Sequence, residues 1–68
     1  MISNDQELHV TLGRIRHFQE QLAHLRVVEA NPENFRMSAS GFLAEIDRMQ
    51  LDVREYLSAH PAEPAASR

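Results

Sequence analysis

The sequence has no cysteine and no lysine, only two glycines, and three prolines that all lie outside its long periodic stretches. Without cysteine there is neither a disulfide framework nor a thiolate metal site. All seven basic residues are arginines, dispersed from Arg14 to Arg68, against ten acidic residues, for a formal net charge of −3. A mildly acidic chain with no basic patch is a poor match for a phosphate backbone, so no nucleic-acid partner is expected. No apolar run approaches the ~20 residues a membrane span needs, so no membrane partner is expected either. The polar, acidic opening from Met1 to Glu7 does not resemble a secretory signal, and the expected compartment is cytoplasmic.

What remains is short. Sixty-eight residues make one domain at most. A chain of this size buries only about 60% of its unfolded surface. Small folds usually add a disulfide, a metal or a partner subunit. With thiol chemistry absent, a partner subunit is the expected remedy. There is no room for a conventional enzyme core with a separate substrate pocket, so neither catalysis nor a cofactor is expected.

The pattern is helical throughout. No segment sustains the apolar–polar alternation of a strand. Asn4 and Glu7 have the spacing of a capping box, and Asp5 and Glu7 put negative charge where a helix dipole favours it. Leu8, Ile15 and Leu22 then recur every seven residues, with Thr11, Phe18 and Leu25 as the companion row. These are the a and d positions of three heptads. Leu12 and Val28 widen the stripe, and Gly13 falls on the opposite face.

Pro32 disfavours helical geometry at Asn31, so the first helix is expected over about 4–30. Residues 31–38 read as a connection holding Phe35 and Met37, although Asn31 with Pro32 also suits the cap and first position of a helical turn. Ser38 or Ser40 is expected to cap a second helix over about 39–59. Its stripe is Ala39, Phe42, Ile46, Met49, Val53 and Tyr56, broadened by Leu43 and Leu57. Arg48 and Asp52 are spaced to pair on the wet face. Residues 61–68 carry no apolar anchor and read as a disordered tail.

The expected fold is all-α: an antiparallel two-helix hairpin. Two such hairpins would close a four-helix bundle as a homodimer or larger. The expected oligomer interface is Leu8, Leu12, Ile15, Phe18, Leu22, Leu25, Phe42, Ile46, Met49, Val53 and Tyr56. Phe35 and Met37, apolar and outside either heptad, are the expected contacts to a separate client protein.

Two clusters suggest other chemistry. His17, Glu20 and His24 share a helix face, but His17 and His24 are two turns, about 10.5 Å, apart along it. They read as a solvated face and not a metal site. Glu45, Asp47, Asp52 and Glu55 are spread around the second helix among arginines, and two helices offer no shielded pocket to tune a catalytic carboxylate.

The opening Ile2-Ser-Asn4-Asp5-Gln-Glu7-Leu8-His-Val10-Thr11 resembles the segment that begins the HigA-like antitoxins of bacterial toxin–antitoxin modules. The resemblance spans about the first 25 residues. In that family a helical N-terminal region precedes a helix-turn-helix DNA-binding domain. The sequence ends where such a domain would start, so the carry-over reaches the helical part alone. It implies an inhibitor or regulator of a basic protein client such as a toxin. The competing expectation is a self-assembling bundle with no separate client.

Overall fold

The computed structural model describes residues 1–62. Two helices make up the chain: α1, Asp5–Val28, and α2, Pro32–Leu57. No strand occurs among the described residues. The helices pack side by side as an antiparallel hairpin, with Phe18 on α1 meeting Phe42 on α2 edge to face, ring centroids 5.9 Å apart. At 1.5 Å per residue they are about 36 and 39 Å long.

The start of α1 follows from its side chains. The Asn4 Oδ1 accepts from the Glu7 backbone N–H at 2.8 Å. The return half of the capping box is displaced by one residue. Glu7 accepts from the Ser3 backbone N–H at 2.9 Å and from the Ser3 hydroxyl at 2.7 Å. These bonds, the hydroxyl's first, hold the Glu7 carboxyl below its ordinary pKa.

The turn is much shorter than the expected 31–38 connection. Asn31 caps α2 directly, its Oδ1 accepting from the N–H groups of Glu33 and Asn34, with Pro32 at the first helical position. Proline's fixed φ and missing N–H suit that position, so the cap that competed with a loop prevails. Phe35 and Met37 therefore lie within α2. Neither serine caps the helix; Ser40 sits inside it and its hydroxyl donates to the Met37 carbonyl at 2.9 Å. At the far end, α2 stops at Leu57, and Ser58 and Ala59 donate backbone N–H groups to the carbonyls of Arg54 and Tyr56. The His60 Nδ1 accepts from the Ala62 N–H at 3.0 Å. Pro61 and Ala62 lie in a turn; the rest of the expected tail, 63–68, lies outside the described residues.

The core is a single seam. Ile15, Ile46 and Met49 are buried against one another, with Phe18 and Val53 packed on them; Leu8 and Ala39 are buried further along. These are the a and d rows of both helices, so the 3.5-residue repeat is what faces the partner helix. At the open end the Tyr56 hydroxyl donates to the Asp5 carboxylate at 2.6 Å, tying the end of α2 to the start of α1. That bond, more than burial, pushes the tyrosine pKa up from its ordinary value.

Candidate interaction surface

The hairpin is one helix thick. Its principal extents are 50 × 19 × 12 Å, and the smallest matches a single helix with its side chains. Among the described residues five apolar side chains are buried, whereas nine large apolar ones are exposed. The chain's accessible surface is 5472 Å², against about 4,400 Å² for a compact monomer of its mass. A two-row seam is all that two helices can hide from each other.

The expected interface residues divide accordingly. Leu8, Ile15, Ile46 and Met49 are already buried within one hairpin and are not part of the surface left for a second copy. Phe18, Leu22, Leu25, Phe42, Val53 and Tyr56 are half-buried along the edges of the seam, and Leu12 is exposed. Phe35 and Met37 do not form one patch. Two residues apart on a helix point about 200° apart. Phe35 is half-buried on the seam side, and Met37 faces outward at 76% exposure. The outward row that Met37 belongs to continues through Ala44 to Leu51, which is also exposed.

The two flanks of the seam differ in chemistry. On one flank, the g positions, α2 carries Glu45 and Asp52. Glu45 pairs with Arg48 at 2.7 Å, and Asp52 faces the N-terminal ammonium at 3.5 Å. Arg48 thus pairs with Glu45 in place of the expected Asp52, one turn toward the N-terminus, and that contact raises its pKa. The same flank holds a shallow open groove of about 430 Å³ lined by His17, Glu20, Gln21, His24, Leu25 and Phe42. His17 stacks at a tilt on Phe18, with centroids 6.2 Å apart. Among the described residues no group of three or more His, Asp or Glu side chains is placed to hold a metal ion.

The opposite flank, the e positions, carries Leu12 on α1 and Leu43 and Leu57 on α2. These three are 43%, 47% and 62% exposed. Gln19 and Gln50 fill the intervening e positions. The next row outward holds Arg16 on α1 and Asp47 and Arg54 on α2, all exposed. None of those charges belongs to the ion pairs of a single copy. The sequence showed Leu43 and Leu57 as broadening the stripe. Their concentration on one flank emerges only when both helices are set in register.

No helix among the described residues is long and apolar enough to cross a membrane. No family model, curated protein or solved structure matches the chain.

Proposed function

We propose that this chain is a protein–protein interaction module: a helical hairpin that completes its core with a second copy of itself, as a dimeric four-helix bundle, and offers its outer surface to a client. The observation that supports this reading is the excess of exposed over buried apolar side chains in a rod one helix thick. Apolar surface of this extent on a small chain marks association. The client reading rests on the net charge of −3, which steers an acidic binder toward a basic protein, and on the antitoxin resemblance of the opening helix. In this reading the chain is a non-enzymatic, cytoplasmic inhibitor or regulator of the antitoxin type. The outward row of Met37 and Leu51, on the side of α2 away from the seam, is the client surface in place of Phe35 with Met37.

The test is co-expression with the product of the adjacent gene, followed by co-purification. Capture that is lost in Met37→Ala with Leu51→Ala, while the oligomer persists, supports the client reading. An oligomer that retains no product of a neighbouring gene leaves the self-assembling bundle as the function.

A further inference from the structure

We infer that the covering surface is a second copy docked on the Leu12, Leu43 and Leu57 flank, with the two-fold axis parallel to the helices. The inference rests on the self-association proposed above and adds the face and the arrangement.

The choice of face comes from the asymmetry between flanks. On one flank Glu45, Arg48 and Asp52 are engaged within the hairpin, in the Glu45–Arg48 and Met1–Asp52 pairs, and the exposed apolar residues are the smaller Val10 and Val28. The other exposes three leucines and two glutamines beside Arg16, Asp47 and Arg54, which belong to no ion pair among the described residues. A face about 36 Å long and 19 Å wide covers about 700 Å², close to the ~800 Å² per partner of a standard stable interface. Stacking two rods each 12 Å thick gives a nearly square cross-section, that of a four-helix bundle.

The choice of axis comes from charge. Ile15 packs against Ile46, so Arg16 and Asp47 stand within about 3 Å of the same height on different helices. The Tyr56–Asp5 hydrogen bond likewise sets Arg54 near the height of Asp5. A two-fold axis parallel to the helices lays α1 of one copy over α2 of the other without changing heights. Arg16 then meets Asp47 of the second copy, and Asp5 meets its Arg54. Near the turn, Arg26 falls between the heights of its Glu33 and Arg36, so charge at that end does not favour the arrangement. A two-fold axis across the helices would instead stack α1 on α1. Arg16 lies at the middle of α1 and would face its own copy, and Asp47, close to the middle of α2, would do the same. Like charges facing each other across an interface oppose it.

Sedimentation equilibrium and native mass spectrometry of the full chain test both choices. The expected wild-type state is a dimer at micromolar concentration. Leu43→Glu is expected to weaken it about a hundredfold. Arg16→Asp and Asp47→Arg are each expected to weaken it about tenfold, since each creates like-charged pairs. Mixed in equal amounts, those two variants are expected to form a heterodimer of near wild-type affinity, because each variant's new charge meets its opposite in the other. All the substituted side chains are exposed in one hairpin, and far-UV circular dichroism checks that each variant remains helical. A wild-type monomer up to about 100 µM overturns self-association altogether. A wild-type dimer indifferent to Leu43→Glu overturns the face. Charge variants that weaken the dimer without rescue on mixing overturn the axis.

Discussion

Ile46→Ala separates what holds one hairpin together from what joins two. Ile46 is 5% exposed and sits at the centre of the seam with Ile15 and Met49. The change deletes three buried carbons, worth roughly 0.8 kcal/mol each, or about 2.4 kcal/mol in transfer alone. A cavity left in a two-helix seam is open at its sides, and the half-buried Phe18 and Val53 beside it can lean in. The cavity contribution is therefore small, and the total falls near 3 kcal/mol, in the lower half of the range for such truncations. A core this small supplies only about 3–5 kcal/mol, so Ile46→Ala removes most of it. For a domain of this size that is a drop in Tm of about 12–24 °C. Leu43→Ala makes a nearly equal volume change at a side chain that is 47% exposed in the single copy. Its cost in dilute protein stays below about 1 kcal/mol and grows as protein concentration rises and the second copy binds. Urea unfolding followed by circular dichroism at several protein concentrations distinguishes the two. An Ile46→Ala cost under about 1 kcal/mol refutes the assignment of the core. A Leu43→Ala cost in dilute protein equal to that of Ile46→Ala refutes the division between seam and flank.

Three further outcomes follow from local geometry. Asn31→Ala removes the acceptor for two N–H groups at the start of α2 and is expected to cost about 1 kcal/mol in urea unfolding, with the turn as the first segment to lose hydrogen-exchange protection. Gly13→Ala and Gly41→Ala are expected to stabilise the fold by up to about 1 kcal/mol each, since a Cβ at either position meets nothing within 4 Å and both are mid-helix; a loss of thermal stability would contradict this. Tyr56 carries a raised pKa because its neutral hydroxyl donates to Asp5, so its contribution is complete below pH 10 and is lost as pH rises through the folded-state value. Tyr56→Phe is expected to flatten the alkaline limb of a Tm-against-pH curve.

The helices and the seam were legible because the heptad repeat is strict. Leu8, Ile15, Ala39, Ile46 and Met49, the five buried residues, all sit on the two rows the spacing picks out. The turn was not legible, because Asn-Pro serves equally as a loop signal and as a cap followed by a first helical residue. Only the geometry at Asn31, which accepts two N–H groups at once, decides between them. That single decision moved Phe35 and Met37 from a loop into α2 and split them between two faces. The Ser3–Glu7 and Tyr56–Asp5 contacts were also invisible. The first departs by one residue from the usual capping register, and the second joins residues 51 apart in the chain.

The width of the stripes carries a different kind of information from their period. Period fixes which rows face the nearest helix, and two rows suffice for that. Leu12, Leu43 and Leu57 add nothing to the period and are not needed to close the seam, where they remain 43–62% exposed. Were the hairpin selected to be a solitary rod, those positions would be the least costly places in the sequence for lysine or glutamate, and the e positions of both helices would read as charged. Instead the e positions hold three leucines and two glutamines, with charge only at their ends, in Asp5, Arg26 and Arg36. The charged rows begin one position further out, where side chains ring an interface and keep contact with water. An apolar centre with a charged rim is the anatomy of a buried protein contact. On the Leu12, Leu43 and Leu57 flank that anatomy fits the single additional layer of the proposed dimer.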